Sequence, residues 1–375
     1  MNTPVAIVGV GTSAIERRSN RGIVAFALDA ARAAIADAGL DVDDIDGYVG
    51  APTATNAGGL RADGADEVSM RLLAQSLGLD ELRWGADLAG AFAPDMVASA
   101  AHALTAGAAR RVLGVRALYH LPERDYAAVR TTHAYGGAQW TAPYGFTTAG
   151  ARFAARARAY LEATGATRED LYAVPALARQ NAARNPVAIW RERRLSCQEY
   201  LSARLIADPL GLYDCDMPVC GAAAFVMTAG DLATAGSQPP AYVRGWTGWR
   251  QPPSSIFGHS GLSRERIDVC QIYDGFSTMV WDTLEALEFC DPGTAWRWVR
   301  DGKSAPDGPL PINTFGGSLG EGRMHGMGHL REAVLQVTGR ADARQVPGAR
   351  SCLVQVGTFD FSSLLVLGAD PGPST

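Results

Sequence analysis

Lysine is all but missing from this 375-residue chain: Lys303 is the single one, and the other 33 of the 34 basic residues are arginine. An imine-forming enzyme needs a desolvated lysine of lowered pKa. Lys303 stands in the polar turn DGKSAPDGP, where it stays solvated and protonated, so lysine imine chemistry is not expected. Cysteine is sparse and lopsided. Cys197, Cys215, Cys220, Cys270, Cys290 and Cys352 all fall in the second half with no CxxC pair, which argues against a zinc ribbon or a disulfide framework and reads as reduced, mostly packed thiols. Excess positive charge is absent too. The net charge of −5 leaves no electrostatic footprint for a nucleic-acid backbone. No run approaches the ~18 apolar residues of a membrane span, and the opening MNTPVAIVGVGTS lacks a charged n-region and a small-residue cleavage site; the expected location is cytoplasmic. What remains, 47% apolar and 19% charged residues, is a globular composition long enough for two or three domains or one large duplicated one.

The apolar pattern predicts a buried strand at 4–10 and a helix over 22–38, with Ile23, Phe26, Ala27, Ala30, Ala34 and Ile35 recurring at three and four before Gly39. A strand at 45–51, helices near 66–77 and over 94–106, and a strand at 111–116 continue an α/β alternation. Between 118 and 150 the pattern breaks into a loop rich in aromatics, glycine and histidine, of a length that usually carries function. A helical stretch at 151–182 follows. From Ile267 the earlier logic returns: strand, helix 275–289, a Pro/Gly loop, helix 326–338, and strands 350–356 and 363–368. The helix-to-strand passages 103–115 and 337–356 look alike, which suggests two similar halves.

Four motifs carry candidate chemistry. GVGTSA (Gly9, Gly11, Ala14) formally fits a dinucleotide fingerprint, but no apolar-periodic helix follows directly and no acidic residue closes a second strand, so a plain glycine turn is preferred. His325 and His329 in HGMGH stand four apart, as metal ligands on a helix would. With glycines at 326 and 328 and no third ligand, the preferred reading is one histidine in a site and the other at the surface, with no metal. Tyr273-Asp274-Gly275-Phe276 sits where a strand gives way to a helix, so a proton donor and an anion-stabilising terminus would meet there; the alternative is an Asx cap beside a core aromatic. The run from Asn313 to Gly328 holds six glycines after residue 315, too many for a packing element, and reads as a loop that lets a ligand approach backbone N–H groups.

The strings EYLSARLIADPLGLYDCDMPVCGAAAFVMTA, QIYDGFS, NTFGGSLGEGRMHGMGHLREAVLQVTG and RQVPGA resemble the sterol-carrier-protein-x branch of the thiolase superfamily, over nearly the whole chain. The resemblance implies an α/β thiolase fold, with duplicated βαβ-type halves in a five-layer αβαβα sandwich and an inserted loop region over the site. It divides the chain into 1–117 (first part of the N-terminal half), 118–210 (insertion), 211–245 (completion of that half) and 246–375 (C-terminal half), and implies a homodimer. The departures decide the chemistry. The nucleophilic cysteine of that branch would fall near Gly90, where this chain has none. HDCFS becomes YDGFS, so a histidine is Tyr273 and a cysteine is Gly275. In GGxxxxGHPxG the histidine becomes Arg323 and the proline Met324, with His325 two residues on. The nucleophile, base and acid of Claisen chemistry are all replaced.

Sequences with YDGFS and GRxHGMG resemble instead the lipid-transfer-protein-type aldolases that cleave steroid side chains. That implies retro-aldol cleavage of a β-hydroxyacyl-CoA to a ketone and a short acyl-CoA, with no cofactor. It also implies a heterotetramer with a small DUF35 protein of OB-fold and zinc-ribbon type. On this reading Tyr273 transfers a proton, and a cationic neighbour such as Arg323 would have to lower its pKa of ~10 for it to act as a base. His325 makes a second proton transfer or contacts the enolate, and Asp274 orients its neighbours. Arg323, Asn313, Gly316, Gly317, Gly326 and Tyr144 are the expected substrate and CoA contacts, with Tyr135, Trp140 and Phe146 as further walls. The rival readings are a 3-ketoacyl-CoA thiolase or acyltransferase, and a non-catalytic thiolase-like scaffold that binds acyl-CoA.

Overall fold

The computed structural model describes residues 3–52, 63–65, 67–120, 134, 136–234, 236–248, 251–358 and 361–372. In chain order these form β1 (Val5–Thr12), α1 (Ile23–Asp37), β2 (Gly47–Gly50), α2 (Met70–Leu77), β3 (Trp84–Asp87), α3 (Ala93–Thr105) and β4 (Arg111–Leu118). Next come the helices α4 (Ala149–Thr164), α5 (Arg168–Leu171), α6 (Ala173–Ala182) and α7 (Cys197–Ser202), the short pair β5 (Leu205–Ala207) and β6 (Leu210–Gly211), and β7 (Gly221–Ala229). The rest is β8 (Ala241–Thr247), α8 (Ser255–Ser260), β9 (Val269–Ile272), α9 (Thr278–Ala286), α10 (Ala295–Arg300), α11 (Gly317–Gly320), α12 (Met327–Val337), β10 (Ser351–Thr358) and β11 (Phe361–Gly368).

Among the described residues nine strands form one mixed sheet in the order β3-β2-β4-β7-β1-β8-β11-β10-β9. Outward from the β1/β8 seam, one side runs β1, β7, β4, β2, β3 and the other β8, β11, β10, β9, ending in a parallel bridge from Cys270 to Ile312. The two sides are the same sequence of roles in mirror order, the topology of a duplicated α/β unit. The seam itself is short, pairing only Ala6 with Tyr242 and Ile7 with Ala241.

Helices α3 and α12 occupy equivalent places, and each packs against strands of both sides. The main core lies around them: Met96, Val97, Ala100 and Leu104 of α3 meet Leu330, Ala333 and Val334 of α12 and the apolar strands β10 and β11. A second core, with Phe26, Ala27, Ala30, Ala31 and Ala34 of α1, covers the outer face of the first side. Helix α12 is buried around nearly its whole circumference, so its polar residues need partners within the protein. Glu332 has Arg344 at 3.0 Å, and Arg331 pairs with Glu321.

Several expected elements differ in detail. Gly9 and Gly11 lie within β1 rather than in a turn. A Cβ on Gly9 would stand 2.3 Å from Ala34 O, and one on Gly11 2.4 Å from Ala30 O. Those glycines admit the α1 backbone against the strand, which accounts for the GVGTSA motif without a nucleotide. The helical stretch 151–182 divides into α4, α5 and α6, because Gly165 takes a left-handed conformation (φ +74°) and Thr167 opens a new helix as its N-cap. No described helix is long and apolar enough to cross a membrane.

Candidate active site

The site gathers at the end of β9, where Tyr273 follows Ile272. Its partner segment is brought in by a short antiparallel ladder: Asp216 N–H donates to Gly275 O (3.1 Å) and Ser277 N–H to Asp214 O (3.0 Å). That ladder sets the Asp216 carboxylate against the Tyr273 ring, with Tyr273 Oη donating to Oδ2 at 3.4 Å. Gly275 is what lets the ring lie there, since a Cβ would stand 2.9 Å from Tyr273 Cε1. Tyr273 and Gly275 therefore act as one paired feature.

Asp216 Oδ2 also meets Arg323 Nε at 3.3 Å. Arg323 Nη2 contacts His325 Nε2, while Arg116 Nη2 lies 2.7 Å from His325 Nδ1. Arg116 comes from β4 and is only 2% exposed; its Nη1 donates to Ala91 O, at the turn leading into α3. Tyr273, Asp216, Arg323, His325 and Arg116 thus form a continuous polar string ending at Ala91 O, one residue after Gly90.

Burial sets the protonation of this string. Burial first, then the Asp216 charge, pushes the Tyr273 phenol above its ordinary value, and Arg323 opposes this only in part. Arg323 therefore does not bring the phenol below its ordinary value, the condition for Tyr273 to act as a standing base, and the phenol is held protonated. His325 goes the other way. Burial, then the charges of Arg323 and Arg116, hold it well below 6.5, as a neutral imidazole. Arg116 is itself pushed down to about 10, chiefly by burial and then by Arg323, and stays cationic at neutral pH.

Asp274 points elsewhere. Its Oδ1 accepts Ser318 N–H at 2.6 Å and its Oδ2 accepts Leu319 N–H at 3.2 Å, so it caps α11 rather than α9, which follows it in sequence. His329 is not at the surface as expected; it is 1% exposed, and its Nε2 lies 3.2 Å from Asp274 Oδ1 and 3.1 Å from Ile272 O. Among the described residues no group of three His, Cys, Asp or Glu could hold a metal ion. Asn313 spends its side chain on the same strand: Nδ2 donates to Ile272 O and Oδ1 accepts Ile272 N–H, both at 2.7 Å.

The glycine run is a packing element after all. Residues 311–330 are buried apart from Arg323, which is half-buried. A Cβ at Gly316 would meet Ala182 Cβ at 2.8 Å, at Gly317 the Asp274 carboxylate at 2.1 Å, and at Gly326 Val356 Cγ2 at 2.6 Å. Protein, not ligand, fills the space these glycines open. Tyr144 and Trp140 are 77% and 74% exposed and Phe146 37%, so they wall no cavity within the chain; Tyr135 lies outside the described residues.

Sequence reasoning missed Asp216 and Arg116. Asp216 sits in the quoted string YDCDMPVC, and two acidic residues just before a long apolar run were the available signal. Arg116 carried a fainter one, as an arginine inside an apolar strand. The neighbouring Cys215 thiol donates to Gly211 O at 3.6 Å, and burial, then Asp214 and Asp216, pushes it up, which disfavours the thiolate.

Residues 237–369 match the family model described as Thiolase C-terminal domain-like. Over 400 aligned residues the chain is 32% identical to a steroid side-chain-cleaving aldolase of Thermomonospora curvata, covering 97% of this chain and 98% of that one. It is 30% identical to the 17-hydroxy-3-oxo-4-pregnene-20-carboxyl-CoA lyase of Mycobacterium tuberculosis, with the same coverage. Its fold superposes on the solved structure of an Ltp2-ChsH2(DUF35) aldolase with a TM-score of 0.87 at 32% identity, over 98% of each chain.

Proposed function

The chain belongs to the thiolase superfamily, in the branch of the steroid side-chain-cleaving aldolases, and on that footing we propose that it cleaves a β-hydroxyacyl-CoA of steroid side-chain type by a retro-aldol reaction. The observation that carries the reading is the string from Tyr273 to Arg116: it supplies a proton path and cations beside the empty nucleophile position, and no thiol takes part.

In the step proposed, Tyr273 Oη takes the proton of the substrate β-hydroxyl as it passes its own to Asp216 Oδ2. The hydroxyl oxygen becomes a ketone, the bond between the α and β carbons breaks, and its electron pair passes into the thioester as an enolate. The cationic side of the string, Arg323 with His325, faces that negative charge. Return of the proton through Tyr273 to the α carbon leaves the protein unchanged. A phenol held protonated suits such a relay better than a standing phenolate would, and each positioned acid or base contributes ~10²–10⁴ in rate. Asp274, His329 and Asn313 act by holding the loop that presents Arg323 and His325. The chemistry draws on side chains of the protein and needs no cofactor.

The test is a CoA thioester of a 17-hydroxy-3-oxo-4-pregnene-20-carboxylic acid, supplied without free CoA. Cleavage between C17 and C20 then gives a 17-ketone and propionyl-CoA. A strict requirement for free CoA would turn the reading into a thiolase, and silence in the presence of a co-expressed DUF35 protein would leave a scaffold. We also propose that the working assembly is a homodimer joined to a small DUF35 protein. The relation to the Ltp2-ChsH2(DUF35) aldolase supports this, as do Trp140 and Tyr144, which the chain leaves to solvent. Co-expression followed by mass measurement of the complex tests it.

A further inference from the structure

The ladder that sets Asp216 against Tyr273 is a single bridge, Cys215 opposite Phe276, with one backbone hydrogen bond on each side of it. Pairing that short does not hold itself, since even a complete two-stranded hairpin is marginal in water. Its register has to come from groups outside it. On one side the anchor is apolar: the Phe276 ring stacks on Phe153 of α4, with 4.5 Å between centroids. On the other side it is polar. Tyr200 Oη donates to the Asp214 carboxylate, 2.9 and 3.0 Å from its two oxygens, and Gly211 N–H donates to Oδ2 at 2.8 Å, while the Asp214 carbonyl takes Ser277 N–H. From α5 the Arg168 guanidinium stands over the Tyr200 ring, 5.2 Å from its centroid. Asp214 and Tyr200 are both 0% exposed. Buried ionic groups add little net stability, so the carboxylate is better accounted for by what it holds in place.

We propose that Asp214 is a positioning residue for the cleavage reaction: it ties α7 and β6, in the region between β4 and β7, to Ser277 at the head of α9, and so sets how far Asp216 lies from Tyr273 Oη. Asp214 touches none of the groups of the relay; it acts through the backbone of Asp216, two residues along. The contact it governs is sensitive to small shifts. Tyr273 Oη and Asp216 Oδ2 stand 3.4 Å apart, already long beside the ~2.7–2.8 Å usual between two oxygens, and slippage of the ladder breaks it. The kinetic consequence rests on the proposed retro-aldol reaction, whereas the anchoring of the ladder does not.

The experiment compares Asp214→Asn with the unaltered chain by two readouts on the whole protein. Amide hydrogen exchange on the peptides that carry Asp216 and Ser277 speeds up at least about tenfold in the variant, while that of β10 stays as it was. In steady state kcat falls by about tenfold to a hundredfold with KM within about twofold, the loss expected of a misplaced reacting group. On an Asp216→Ala background the same substitution lowers kcat by less than about twofold, because the group through which it acts is gone. A merely structural role gives the same factor on both backgrounds. Tyr200→Phe, which keeps the carboxylate and removes one of its donors, produces the same pattern at smaller size and decides the matter if Asp214→Asn does not fold. Unchanged exchange at those two peptides overturns the inference, as do equal losses of kcat with and without Asp216. If the unaltered chain cleaves no β-hydroxyacyl-CoA, the functional reading fails, and the exchange measurement still decides the anchoring.

Discussion

Two polar clusters meet at the end of β9, and they are built in opposite ways. In the anchoring cluster every charge has a close counterpart: Asp274 caps α11 and receives His329, Glu332 pairs with Arg344, and Arg331 with Glu321, all deep in the protein. In the reactive cluster two like charges stand close together. Arg116 and Arg323 lie at the two ring nitrogens of a neutral histidine, and the Asp216 carboxylate is shared between Arg323 and a protonated tyrosine. One cluster matches charge with countercharge; the other holds protonation states shifted by burial and by neighbouring charge, as reacting groups require. His325 and His329, four residues apart, fall on the two sides of that division.

The comparison can be broken in several places. The largest effect is expected at Tyr273→Phe, which removes the relay oxygen and keeps the ring: kcat falls by ~10²–10⁴ with the denaturation midpoint nearly unchanged, measured by steady-state assay and urea titration. A variant with full activity would move Tyr273 to the anchoring side. In Glu332→Ala the reverse holds. The Arg344 charge is left buried and unpaired, which lowers stability by ~3–5 kcal/mol, while the molecules that stay folded keep their kcat.

Gly275→Ala sharpens the boundary, because its Cβ would displace the Tyr273 ring while leaving the anchoring cluster alone. Activity drops at least about tenfold on the Tyr273 background but changes little once Tyr273→Phe is present, the non-additivity of a shared site. The smallest effect is on pH. His325 is held below its ordinary value when folded, so below about pH 6.5 the unfolded chain binds a proton that the native one does not. Stability accordingly declines as pH falls from 6.5 toward the folded value, at up to ~1.4 kcal/mol per unit. His325→Gln removes that slope; an unchanged slope would show that the imidazole is not depressed.

How much of this the sequence discloses depends on distance along the chain. Strand β1, helices α1 and α3, and strands β4, β10 and β11 follow from local apolar rhythm. Strand β7, GAAAFVMTA, escapes because an alanine-rich run fits a buried helix or a strand equally well. Tyr273 and His325 stand out through their neighbours in sequence. Asp216 and Arg116 do not, since what makes them functional is a ladder between residues 214–216 and 275–277 and a contact across more than two hundred residues. The glycines mislead for a related reason: freedom of backbone conformation looks the same in sequence whether a ligand or a neighbouring helix fills the opening, and here Ala182, Asp274 and Val356 do.

The central claim is that carbon–carbon cleavage proceeds here through moving protons, with no acyl group ever carried on sulfur. Intact-protein mass spectrometry of enzyme quenched during turnover tests it most directly. The account predicts ketone accumulating while the protein mass stays that of the free chain. A species heavier by one acyl group, abolished by replacing one of the six cysteines, would contradict it.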